Sequence, residues 1–180
     1  MINDKSPNLS DQQITEYWQK GHLTVVGVFG TQTIYNAIQD IEEWSRQFLS
    51  QLDDDKKNYF LEKNMPGQFL RKLDNPVYER KVFRKMAGDQ TLVDCVEQLI
   101  GQGICIYFSQ IFCKPPLGSS PKCTHQDNFY FGPDDHDGMV TAWIALDEST
   151  IDNGCLLFGE ETHKGPVYPH IAPAGEPFNL

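Results

Sequence analysis

A change of pattern at Gly103 constrains this chain more than any other feature. Upstream of it, apolar residues recur at helical spacing. Downstream, they gather into short β-rich runs separated by turn-forming residues. Ser10-Asp11-Gln12-Gln13 reads as a capping box, and Gly21 as the stop of the short helix it opens. Residues 23–28 read as a short strand. After Thr31, Ile34, Ile38, Ile41, Ser45 and Phe48 fall on one helical face, and that helix should end before Asp53-Asp54-Asp55, read as a solvated loop. Helices are expected again at 78–86 and 91–100, the latter stopped by Gly101 and Gly103. Four strands are expected beyond, at 104–112, 124–131, 139–146 and 154–158. The order, helices first and short strands after, predicts an α+β domain with a β core. Residues 1–180 form one unit, helical to about residue 103 and β from about residue 104.

Charge and cysteine usage narrow the function classes. Lysine and arginine number 15 against 25 aspartates and glutamates, a formal net charge of −10. Such a chain is a poor partner for nucleic acid or an anionic membrane. No apolar run approaches the ~20 residues of a membrane helix, and the polar start, MINDKSPNLSDQQ, carries no secretory leader. The 5 cysteines are odd in number and widely spread, with no C-x-x-C pair. A disulfide framework is therefore not expected, and a reducing, cytoplasmic setting is.

His125 and Asp127 stand two apart in the expected strand at 124–131. Alternate residues of a strand face the same side, so an imidazole and a carboxylate project together. That is two-thirds of the 2-His-1-carboxylate set that holds non-haem Fe(II). The pattern alone is weak, because a surface histidine beside a solvated aspartate has the same spelling. A zinc site using Cys123 with the same pair has no supporting spacing elsewhere.

The surroundings of the pair say more. KPPLGSSPKCT-HQDNFYF, then MVTAWIALDESTIDNGCL, then GEETHKGPVYPH follow in order, with looser matches at FLRKLDNP and YWQKGHLTVVGVF upstream. Together they resemble the phytanoyl-CoA dioxygenase family of Fe(II)- and 2-oxoglutarate-dependent oxygenases, over nearly the whole chain. The resemblance implies helices packed around a double-stranded β-helix (jelly-roll, cupin-like) core. It makes His125 and Asp127 two iron ligands, and 2-oxoglutarate and O₂ the cosubstrates. Gln126 and Gln110 match positions lining the cosubstrate pocket, and Trp143 an aromatic of the same pocket. Lys72 matches a lysine that reaches a carboxylate of 2-oxoglutarate. On the residues alone, Lys72 reads equally as a solvated lysine beside Asp74, and Trp143 as a core aromatic. The implied reaction decarboxylates 2-oxoglutarate to succinate and CO₂ and hydroxylates a small-molecule substrate. Because Asp127 is present, halogenating relatives, which replace the carboxylate ligand, fit less well.

The sequence departs from the family at its end. Relatives carry a distal histidine ligand and then a carboxylate-clamping arginine on a late strand. Here no arginine follows Arg84. Late in the chain, His163 or His170 could in principle serve as a third ligand, although by its motif His163 belongs to the loop after the N-G-C-L turn and not to a ligand strand. The expectation is an incomplete β core in a truncated chain, with Fe(II) binding no tighter than micromolar. The alternative is a family member without turnover that acts as a binding or scaffold protein.

Overall fold

The structure is a computed structural model describing residues 8–63, 65–116, 122–135 and 137–171. The polar start before residue 8 and the Gly/Ser-rich stretch at 117–121 lie outside the described residues. Helix α1 (Asp11–Lys20) forms where the capping box places it. Gln13 N–H donates to Ser10 Oγ at 3.3 Å, and Ser10 N–H donates to Gln13 Oε1 at 3.0 Å. Gly21, at φ +86°, closes the helix, its N–H donating to Tyr17 O at 2.7 Å.

The end of α1 is also a docking point. Glu161 N–H donates to Lys20 O at 2.9 Å, and His163 Nε2–H donates to Trp18 O at 3.0 Å. A Cβ on Gly21 would stand 2.3 Å from the His163 ring, so only glycine fits both the turn and the contact. The T-H-K-G loop is thus fastened to α1, with a short 3₁₀ turn at Thr162–Lys164.

Helix α2 (Thr31–Ser50) carries the core. Ala37 and Trp44 are buried, and Ile34, Ile41 and Phe48 flank them, a 3-4-3-4 stripe. The expected stripe was one position off at its centre: Ile38 and Ser45 are only half-buried. The acidic run is not a loop. Asp53 caps helix α3 (Asp54–Phe60), accepting from Lys56 N–H at 2.9 Å, and Asp54 and Asp55 fill its first turn, where the helix dipole favours anions. The helix expected at 78–86 is two, α4 (Pro76–Glu79) and α5 (Lys81–Ala87), because Arg80 is extended. Arg80 instead clamps Asp40 of α2 through Nε at 2.7 Å and a second N–H at 3.1 Å. Helix α6 (Gln90–Ile100) begins at the Asp89 cap and ends at Gly101.

The β structure differs most from expectation. The one ladder among the described residues pairs β1 (Lys72–Asp74) with β2 (Gln110–Phe112), antiparallel, Leu73 opposite Ile111. An isolated bridge, Leu61 to Leu70, lies beside it. Strand β1 was not expected, and of the strand expected at 104–112 only three residues pair. The segments at 23–28, 139–146 and 154–158 have no ladder partner among the described residues. Residues 127–131 are helix α7 (Asp127–Phe131), not strand. Gly132, left-handed at φ +54°, closes that turn, a stop signal that outweighs the β-prone Phe-Tyr-Phe. Burial alternates over 143–146 without a ladder: Ile144 and Leu146 pack on the core, while Trp143 and Ala145 face out. No helix among the described residues is long and apolar enough to cross a membrane.

Candidate active site

The β1–β2 ribbon has two faces. Leu73 and Ile111 enter the core with Trp44, Phe83 and Met86. On the other face, period 2 puts Lys72, Asp74, Gln110 and Phe112 together. Two predicted site residues 38 positions apart, Lys72 and Gln110, therefore share one surface of one ribbon. Asp74 links them: Gln110 Nε2 donates to its Oδ1, and Lys72 Nζ stands 3.5 Å from its Oδ2. Lys72 is not the solvated lysine of the alternative reading. It is 0% exposed, its ammonium 3.6 Å from the centroid of the Tyr59 ring.

Lys122 covers the same face, its ammonium 4.9 Å from the Phe112 centroid. Burial, then the neighbouring Arg71 and Lys72 cations, holds the Lys122 ammonium down to about 8. Three basic side chains thus gather in a chain that is acidic overall. Sequence reading missed Lys122 because a lone lysine after a Gly/Ser-rich loop carries no pattern.

From Lys122 the backbone runs outside any helix or strand to Gln126, which is extended, and enters α7 at Asp127. His125 and Asp127 do converge, though not by strand alternation: Nε2 of one stands 3.4 Å from Oδ1 of the other. Convergence comes from the corner between extended Gln126 and helix α7, with Asp127 at the first helical position. His125 Nδ1 donates to Cys123 O at 2.8 Å, leaving Nε2 to face the carboxylate. Asp127 Oδ2 accepts from Thr141 Oγ1 at 2.5 Å. The carboxylate beside it raises the His125 imidazole above its ordinary pKa, against desolvation. The imidazole's hydrogen bond, then the Thr141 hydroxyl, holds the Asp127 carboxyl below the usual range, again against desolvation. Thr141 was missed although it lies in the quoted A-W motif, two residues before Trp143.

Gln126 looks elsewhere. Its backbone N–H donates to His170 Nε2 at 2.7 Å, and its amide spans the chain at Pro166 O (3.2 Å) and Tyr168 N (2.8 Å). Trp143 is 48% exposed, so it is not a core aromatic. His163 is engaged with α1 through Nε2, and both ring nitrogens of His170 are hydrogen-bonded.

Metal-bound imidazoles donate their second N–H to a carbonyl or carboxylate, which fixes the tautomer. His125 has that arrangement, and a carboxylate steadied by a hydroxyl stands beside it. The pair fits two of three protein ligands. Among the described residues no group of three His, Cys, Asp or Glu is placed to hold a metal ion.

Residues 17–179 match the family model described as Phytanoyl-CoA dioxygenase (PhyH). The chain belongs to the phytanoyl-CoA dioxygenase family. A probable alpha-ketoglutarate-dependent hypophosphite dioxygenase of Stutzerimonas stutzeri is 28% identical over 160 residues, 88% of this chain and 55% of that protein. The methylphosphonate hydroxylase of Gimesia maris is 26% identical, over 87% of this chain and 58% of its own length. Human peroxisomal phytanoyl-CoA dioxygenase is 36% identical over 112 residues, 61% of this chain and 33% of that protein. The chain spans about half the length of the first two of these relatives.

Proposed function

We propose that this chain carries the iron- and cosubstrate-binding part of an Fe(II)- and 2-oxoglutarate-dependent dioxygenase that hydroxylates a small molecule, with release of succinate and CO₂. The observation that carries the reading is the His125–Asp127 corner, in a member of a dioxygenase family. His125 Nε2 and Asp127 Oδ1 would hold the ferrous ion, within a double-stranded β-helix core. Bound there, iron with 2-oxoglutarate and O₂ supplies the oxidising power for attack on a C–H or P–H bond.

The chain's own residues do the positioning. The Cys123 carbonyl keeps the His125 proton on Nδ1, so that Nε2 offers a lone pair. Thr141 orients the Asp127 carboxylate. Lys72, buried and cationic, would meet a carboxylate of 2-oxoglutarate, with Gln110 beside it on the ribbon face. Trp143 and Gln126 would border the same pocket. The Lys72, Lys122 and Arg71 charges suit anionic small molecules, and two relatives are named for phosphorus oxyanions.

A second reading, a family member that binds without turnover, rests on one observation: among the described residues no third His, Cys, Asp or Glu joins the His125–Asp127 pair in a group placed to hold a metal ion. One anaerobic experiment separates the two. Fe(II) and 2-oxoglutarate added together should give a visible charge-transfer band that His125→Ala and Asp127→Ala abolish. No band, with no succinate formed in air from 2-oxoglutarate with hypophosphite or methylphosphonate, leaves the non-catalytic reading.

A further inference from the structure

The residue between the two proposed ligands is closely bracketed, and the partners of its N–H and its side chain come from one distant segment. Gln126 uses its backbone N–H, its Nε2 and its Oε1 on residues 166–170 alone: His170 Nε2 at 2.7 Å, Pro166 O at 3.2 Å and Tyr168 N at 2.8 Å. The His170 tautomer follows from its neighbours. A backbone N–H points at Nε2, so Nε2 has no proton; Nδ1–H donates to Tyr168 O at 2.8 Å. The ring is fixed as well. It stacks on Phe129 of α7, centroids 4.1 Å apart and planes 15° apart, and meets the edge of Tyr130 at 5.5 Å.

His170 therefore grips both sides of the corner. It holds the last extended residue through a hydrogen bond and the helix that follows through ring stacking. The Gln126 N–H belongs to the peptide that joins His125 to Gln126, so holding it fixes the backbone between the two ligand residues. We infer that segment 166–170 is a brace for the ligand pair, and that His170 is a positioning residue acting through the Gln126 peptide. This rests on the proposed metal role of His125 and Asp127. Partners that orient metal ligands change metal affinity by about 10–100-fold when removed.

Two substitutions at one position separate the hydrogen bond from the packing. His170→Phe keeps a ring to stack on Phe129 and removes the acceptor. His170→Gln loses the ring and offers an oxygen acceptor near the place of Nε2. The probe is Mn(II), its free-ion electron paramagnetic resonance signal read during titration of the full chain. The expected result is about tenfold weaker Mn(II) binding in His170→Phe, with most of the affinity restored in His170→Gln. The bound-ion spectrum should broaden in the Phe variant only. Equal binding in wild type and the Phe variant overturns the brace, and so does equal loss in both variants. His125→Ala serves as the control: if it leaves Mn(II) binding intact, the metal reading itself has failed, whatever His170 does. A measurement on the wild type needs no variant to fold. The Gln126 amide should exchange with solvent far more slowly than a free peptide, and exchange at the free-peptide rate also overturns the inference.

Discussion

Replacing Lys72 separates its two possible duties, holding the fold and holding a ligand. The side chain is fully buried, its ammonium 3.5 Å from Asp74 and 3.6 Å from the Tyr59 ring centroid. Lys72→Ala removes three buried methylenes, ~2.4 kcal/mol of transfer free energy at ~0.8 kcal/mol each. The cavity left behind brings the expected loss to about 3 kcal/mol. Lys72→Met keeps the volume of the stem. It gives up an ion pair with a partly exposed partner, ~0.2–1 kcal/mol, and a cation–π contact of ~0.5–2 kcal/mol. It also removes the cost of burying an ammonium. These terms oppose, so the methionine variant should unfold within about 1 kcal/mol of wild type. Urea unfolding at unchanged slope reads both numbers. Both variants should lose the 2-oxoglutarate-dependent visible band. If Lys72→Met is as unstable as Lys72→Ala, the charge is structural and not kept for a ligand. If the methionine variant keeps the band, the cosubstrate role is wrong.

Trp44→Ala should cost about 3–5 kcal/mol in urea unfolding, because the ring is buried at the centre of the α2 stripe. A double-mutant cycle on Arg80 and Asp40 should give a coupling of about 0.5–1 kcal/mol, read in the same assay, as the pair is bidentate yet partly exposed. The metal-free His125–Asp127 pair should add stability only within a pH window. Its histidine part is complete below the ordinary imidazole range and fades as pH rises through the raised His125 value. Its aspartate part is complete above 3.8 and fades as pH falls through the lowered Asp127 value. Asp127→Asn should flatten that dependence in unfolding midpoints taken across pH, and an unchanged profile would refute the pairing.

Local signals were the most readable part of the fold. The Ser10 capping box, the Gly21 stop and the long α2 helix are written in short-range chemistry. Pairing was not, because β1 and β2 are three residues each and meet across a long separation. The Asp53 run shows one composition serving two ends: three aspartates look solvated, yet the first caps a helix and the others suit its dipole. At the site, the His125–Asp127 convergence was anticipated for the wrong geometric reason. A two-residue spacing brings side chains together on a strand, and here a corner does it. Thr141 and His170 were invisible as partners because their contacts span 14 and 44 residues.

The central claim is that one divalent ion sits between His125 and Asp127. Substoichiometric Mn(II) added to isotope-labelled protein tests it most directly, through paramagnetic broadening of individual resonances. The account predicts that the His125 ring protons and the amides of Gln126, Asp127 and Thr141 broaden first, and that Asp127→Ala abolishes the effect. Broadening centred on another part of the chain, or unchanged by that substitution, would contradict it.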